Sequence, residues 1–195
     1  MPKNSADQNL NSRRLFLGSV LSAGAVVLVP RPLLAWTGEL EPAMALPADS
    51  RRLAFLNTHT GETLETVYFA GGRYLDRGLT AVNRILRDHR TGEISPIDPE
   101  LLDTLHRLQE QVGGTAPYEL ISGYRSPSTN EALRKHSGAV ARHSLHLKGM
   151  AADVRLPGIA LASLRDAALD LGRGGVGYYP GDGFIHVDTG RVRHW

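Results

Sequence analysis

The 195-residue chain contains no cysteine. That absence removes disulfide staples, thiolate zinc sites, iron–sulfur clusters and a cysteine nucleophile together. It leaves histidine and carboxylate side chains as the groups able to hold a metal. A run long enough to span a bilayer is also lacking: the uncharged stretch from Leu15 to Pro30 is 16 residues, against about 20 for a spanning helix. No internal repeat and no low-complexity tract is present. Nor is there a strong charge of either sign. Four basic residues (Lys3, Arg13, Arg14, Arg31) and one acid (Asp7) fall in the first 35 positions, so removing these turns the formal net charge of +2 into −1. The basic excess belongs to the leading segment, and the rest of the chain has no electrostatic case for nucleic acid.

What is present is enough for one folded domain. Hydrophobic residues make up 42% and charged residues 22%, a balance that buries a core and does not read as disordered. Ser12-Arg13-Arg14-Leu15-Phe16-Leu17 opens a short apolar segment and reads as a twin-arginine export signal over residues 1–35. Cleavage is expected after Ala35. Ala43-Met44-Ala45 fits the small-x-small pattern better but lies farther from the apolar run. This reading predicts a periplasmic protein with no stable membrane insertion once the signal is removed. Residues 36–50 carry Pro42 and Pro47 without periodicity and read as a linker or extended arm. The domain is expected over 51–195.

Within that domain, Leu53–Leu56 and Leu64–Phe69 flank the turn Thr58-His59-Thr60-Gly61 and predict a β-hairpin. Leu79, Val82, Ile85 and Leu86 recur at helical spacing, with Asp76 placed to cap them. Asp98-Pro99 opens a second helix with an apolar stripe from Leu101 to Val112, stopped by Gly113-Gly114. Tyr118–Ile121 and Ala151–Val154 read as strands, Thr129–Lys135 and Leu161–Leu171 as helices. Val176–Tyr179 and Phe184–Val187 form a hairpin across Pro180–Gly183. The expected class is α+β: a small antiparallel sheet with flanking helices. Gly172-x-Gly174-x-x-Gly177 matches a dinucleotide fingerprint in letters, but it follows a helix and enters a strand, the reverse of the required context. These glycines read as a helix stop and a tight turn.

Eight histidines are present. His89 and His106 fall in the predicted helices, His59 in a turn and His136 after a short helix, all consistent with surface positions. His146, Asp153 and His186 differ. Asp153 and His186 interrupt apolar strands, where an unpartnered polar group is costly. Alternation puts Phe184, His186 and Asp188 on one strand face. Two histidines and a carboxylate form a known catalytic zinc set, but on spacing alone a buried His–Asp pair without metal is the stronger account.

Ser122-Gly123-Tyr124-Arg125, His146-x6-Asp153 and Phe184-Ile185-His186 together resemble the D-Ala-D-Ala metallopeptidase family, which also includes lysostaphin and the hedgehog signalling domain. Gly174–Pro180, His186–Gly190 and Arg193-His194-Trp195 resemble one branch of it most, the twin-arginine-exported murein endopeptidases of Gram-negative bacteria. The resemblance runs from Arg52 through Trp195. It implies a hedgehog/D-Ala-D-Ala-peptidase-like zinc fold over 51–195, Zn²⁺ held by His146, Asp153 and His186, and peptidoglycan cross-link peptides as substrate. The implied activity is a murein endopeptidase cutting D-Ala–diaminopimelate or diaminopimelate–diaminopimelate bonds. Two other readings stand beside it: a carboxypeptidase trimming terminal D-Ala, and a zinc-stabilised binding module. Where the wider family places an acid and a second His just before the last ligand, this chain has Gly183 and Phe184. The general base is therefore sought elsewhere: Asp188 first, which equally suits a partner orienting His186, then Asp182 and His143. Arg125 is expected to stabilise the oxyanion or clamp a substrate carboxylate. Tyr124 suits groove or core equally, and one of Tyr178 and Tyr179 is expected to face substrate.

Overall fold

The computed structural model describes residues 46–136 and 140–195. The predicted signal over 1–35, both candidate cleavage sites and residues 36–45 of the predicted arm lie outside the described residues. The described end of that arm is fastened to the domain. Asp49 accepts the backbone N–H groups of Gly71 and Gly72 at 2.9 and 2.6 Å.

The elements run β1 (Arg51–Asn57), β2 (Thr63–Ala70), β3 (Arg73–Tyr74), α1 (Asp76–Ile85), α2 (Pro99–Gln111), β4 (Tyr118–Ser122) and α3 (Pro127–His136). A 3₁₀ turn (Leu145–Lys148) follows, then β5 (Ala151–Arg155), α4 (Leu161–Leu171), β6 (Gly175–Tyr179), β7 (Phe184–Asp188) and β8 (Arg193–His194). The class is α+β as expected, but the small antiparallel sheet is not what forms. Among the described residues, eight strands make one mixed sheet in the order β3-β2-β1-β4-β5-β7-β6-β8. β1 pairs parallel with β4, and β6 parallel with β8. The reason lies in the connections. The chain between β1 and β4 includes two helices, and a crossover of that length lets a strand return alongside its predecessor in the same direction.

The scaffold follows local chemistry. Asp98 caps α2 by accepting from Glu100 N, and Pro99 occupies the first turn, where its missing N–H costs nothing. Leu101, Leu102, Leu105 and Leu108 are all fully buried, each contributing roughly 1.5–3 kcal/mol by leaving water. Tyr118, buried beneath them, donates its hydroxyl to Leu105 O at 2.9 Å. α1 departs from expectation at its start. Leu75 is the N-cap and no side chain caps it, so Asp76 is the first helical residue, favourable only to the helix dipole. His89 likewise falls after α1 and stacks on His59, with ring centroids 3.9 Å apart.

The centre of the sheet has two chemically distinct faces. On β5 and β7, Ala152, Val154, Ile185 and Val187 enter the hydrophobic core. The intervening Asp153, His186 and Asp188 point to the other face. β5 and β7 are antiparallel with Asp153 directly opposite His186, and on the next strand Gly177 lies opposite His186. On the other side Ser122 of β4 is opposite Asp153, reached through a register shift after Leu120. Four neighbouring strands thus present Ser122, Asp153, His186 and Gly177 in one row.

Candidate metal centre and cleft

His146 joins that row from the 3₁₀ turn. Ser144 starts the turn, its side chain accepting from His146 N, and Gly149 ends it in the left-handed conformation with φ 67°. A Cβ at Gly149 would also fall 2.1 Å from Pro96 O, so only glycine fits. The His146 ring is held from behind by Gly123 O, 2.7 Å from Nδ1. A carbonyl only accepts, so Nδ1 carries the proton and Nε2 of the neutral ring presents a lone pair. His186 has the mirrored arrangement: its Nε2 lies 3.0 Å from the Asp188 carboxylate, which leaves Nδ1 as the lone-pair nitrogen of the neutral ring.

These two lone pairs and Asp153 Oδ1 converge. His146 Nε2 is 3.2 Å from Asp153 Oδ1 and 3.1 Å from His186 Nδ1, and His186 Nδ1 is 2.9 Å from Asp153 Oδ1. Three acceptors facing one another repel unless positive charge sits among them. A tetrahedral ion with bonds of about 2.0–2.2 Å has ligand–ligand edges of about 3.3–3.6 Å, so the triangle is within a few tenths of an ångström of what such an ion needs. All three residues are buried, and among the described residues they are the one group of three with metal-binding geometry.

The electrostatics agree. Burial pushes the His146 pKa down and favours the neutral ring. Burial opposes the charge on Asp153, but its polar surroundings, with the Arg125 guanidinium at Oδ2, outweigh it and hold the carboxyl well below the usual range. At His186 burial lowers the pKa, yet the bonds to Asp153 and Asp188 prevail and raise it. A proton on His186 Nδ1 and a cation at the same nitrogen exclude each other.

Arg125 stands at the carboxylate's other oxygen. Its Nε donates to Ser122 Oγ at 2.8 Å and its Nη2 to Asp153 Oδ2. The turn that carries it is clamped on both sides. Tyr124 N donates to Leu86 O at 2.7 Å, and Ser126 N to the Asp88 carboxylate at 2.8 Å. Tyr124 itself packs against the core.

A cleft of about 500 Å³ opens over the three ligands, and Arg125, His143, Tyr179, Asp182, Phe184 and Trp195 line it. His143 and Asp182 are thus placed at the cleft. Asp188 is not among the lining residues. It is 1% exposed and sits behind His186, where Gly175 N and Gly190 N donate to Oδ1 at 3.0 and 2.8 Å. Arg193 spans both oxygens, Nη1 to Oδ1 at 3.1 Å and Nη2 to Oδ2 at 2.6 Å. Glycines leave the room that these contacts use. A Cβ on Gly175 would lie 2.5 Å from Asp188 Oδ2, and one on Gly190 3.0 Å from Oδ1 and 2.7 Å from Leu145 Cδ1. Tyr179 lines the cleft while Tyr178 packs on the core.

Sequence reasoning quoted Arg193 and Ser122 within the resembling motifs but gave neither a role. Arg193 lies in a two-residue strand with no periodicity to orient it. Alternation along β4 groups Ser122 with Tyr118 and Leu120 on the core face, and only the irregular register turns it toward Arg125.

A family model described as Peptidase_M15_2: Peptidoglycan L,D-endopeptidase MepK matches residues 45–195. The peptidoglycan L,D-endopeptidase MepK of Escherichia coli (strain K12) is 43% identical over 185 residues, 95% of this chain and 97% of that protein. The probable peptidoglycan L,D-endopeptidase MepK of Haemophilus influenzae is 37% identical over 193 residues, 98% of each chain. No solved structure matches.

Proposed function

Because the chain belongs to the Peptidase_M15_2 family, we propose that it is a zinc-dependent endopeptidase that hydrolyses peptide cross-links of peptidoglycan. The observation that carries this reading is the convergence of His146 Nε2, Asp153 Oδ1 and His186 Nδ1 to within 3.2 Å of one another beneath the cleft. Among the candidate bonds, the relatives' L,D designation favours diaminopimelate–diaminopimelate, in which an L-centre carbonyl is joined to a D-centre amine. The Ser12–Leu17 run supports export by the twin-arginine route to the periplasm, where that polymer lies.

His146, Asp153 and His186 would hold the ion. When bound, zinc supplies Lewis acidity: it polarises a carbonyl and brings the pKa of water toward about 7. The chain's own side chains do the rest. Asp188 is spent on Gly175, Gly190, Arg193 and His186, so its part is to fix the His186 tautomer rather than to accept a proton from water. Proton acceptance falls to His143 or Asp182, the imidazole and carboxylate side chains of the cleft other than the ligands. Arg125 holds Asp153 and presents fixed positive charge at the cleft edge, where an oxyanion or a substrate carboxylate is met.

The test is digestion of purified cross-linked muropeptides, with and without a chelator. The expected result is cleavage of the dimers into monomers that stops with chelator and returns with zinc. Release of free D-Ala alone would make the protein a carboxypeptidase, binding without any product would make it a zinc-stabilised module, and chelator-resistant cleavage would overturn the metal.

A further inference from the structure

β8 and Trp195 have no part in the three-ligand set, yet they are built into it. Arg193 forms a two-point fork on Asp188, with Nη2 at 2.6 Å from the same Oδ2 that lies 3.0 Å from His186 Nε2. Trp195 covers the neighbouring side. Its ring centroid is 5.2 Å from that of His186, and its indole N–H donates to Tyr179 Oη at 2.7 Å. The Arg193 guanidinium lies 5.0 Å from the indole ring, so the two side chains brace each other. The backbone fixes this segment as well: Trp195 N donates to Val176 O at 3.2 Å and Tyr178 N to Trp195 O at 3.1 Å. Room for the indole comes from Gly177, where a Cβ would fall 2.8 Å from it. Gly177 is the residue directly across the sheet from His186.

We propose that Arg193 and Trp195 are positioning residues of the metal centre, acting on His186 through Asp188 and by direct cover of its ring. The proposal rests on the zinc reading above. The physical argument starts from the tautomer. His186 can offer Nδ1 to a metal only while its proton stays on Nε2, and Asp188 Oδ2 keeps it there. A carboxylate held by backbone N–H groups at one oxygen can still tilt about its Cβ–Cγ bond. The planar fork of Arg193 fixes both oxygens at once, which a lysine ammonium cannot do. Trp195 adds an apolar wall that limits water and ring rotation. Outer partners of this kind typically change metal affinity about 10–100-fold.

The experiment uses the full chain. Zinc affinity is measured by chelator competition for wild type, Arg193→Ala, Arg193→Lys, Trp195→Ala and the ligand control His146→Ala. Melting of the metal-free proteins and the absorption spectra of their cobalt(II) forms accompany it. The expected result is zinc affinity about 10–100-fold weaker in Arg193→Ala, a smaller loss in Arg193→Lys, and a loss in Trp195→Ala. The cobalt spectra should be altered in all three. A lowered melting temperature with wild-type zinc affinity and an unchanged cobalt spectrum would mean a merely structural role and would overturn the proposal. So would wild-type behaviour throughout. Should Arg193→Ala fail to fold, Arg193→Lys and Trp195→Ala separate the same two outcomes. Wild type binding zinc no better than His146→Ala would remove the metal reading and this one together, whereas tight wild-type binding with indifferent variants removes this one alone.

Discussion

Asp88 sits outside the cleft, yet the geometry makes it a support of Arg125. It is 1% exposed. One oxygen accepts from Arg90 N and Thr91 N at 2.9 and 3.4 Å, the other from Ser126 N at 2.8 Å. Ser126 is fully buried, so no water can replace that last partner. In Asp88→Ala the Ser126 N–H loses its acceptor, costing about 1–3 kcal/mol, and two partly buried bonds add about 0.5–1.5 kcal/mol each. The sum is about 2–6 kcal/mol, against a total stability of about 5–15. Asp88→Asn can keep the Ser126 bond by turning its amide nitrogen toward the loop, and should lose about 1–3 kcal/mol.

The pH dependence separates this account from a simple packing loss. Burial opposes the Asp88 charge, but bonds from Thr129, Ser126 and Arg90 prevail and hold its pKa well below the usual range. A carboxyl depressed in the folded state contributes stability that is present above its unfolded value near 3.9. That contribution is lost as pH falls through this value toward the folded one. The gap between wild type and Asp88→Asn should therefore be widest near pH 7 and shrink below about pH 4. Urea unfolding of both proteins without metal, at several pH values, measures it. Turnover of Asp88→Ala should also fall, because Arg125 rides between Leu86 and Asp88, the two anchors of its turn. A pH-independent gap, or none, would refute the reasoning.

Two further expectations concern the cleft. Arg125→Lys at saturating zinc should lower kcat on the order of 10²-fold, because a point charge does not reproduce the fork shared between Asp153 and the developing oxyanion. A rise in KM with kcat unchanged would assign Arg125 to substrate binding alone. The double variant His143→Ala/Asp182→Asn should lose roughly 10²–10⁴-fold in kcat while retaining stoichiometric zinc by metal analysis. Full turnover in it would place the proton acceptor outside these two residues.

The parts of this protein legible in its sequence are those governed by local pattern. The α2 stripe, the Asp98-Pro99 start, the Pro180–Gly183 hairpin loop and α4 over Leu161–Leu171 all form where the pattern puts them. The grouping of His146, Asp153 and His186 came from the family resemblance, since spacing alone favoured a buried His–Asp pair, and the structure brings the three side chains together. Strand direction was not legible, because parallel pairing of β1 with β4 depends on how the intervening helices pack rather than on either strand. Ser122 was hidden by a register shift. The placement of Asp188 behind its histidine was hidden too. Alternation gives the face but not the depth, and the depth comes from Arg193 and two backbone N–H groups.

The glycines around Asp188 and the indole bear on how variation in this chain should be read. Gly175, Gly177 and Gly190 offer no side chain to lose, and exchange for alanine ranks as mild on any scale of chemical distance. Yet a methyl group at these positions meets Asp188, the indole of Trp195 or Leu145 at 2.5–2.8 Å. Alanine at these positions would therefore have to displace the side chains that hold His186, so the shape of the fitness landscape here is drawn by vacancies as well as by functional groups.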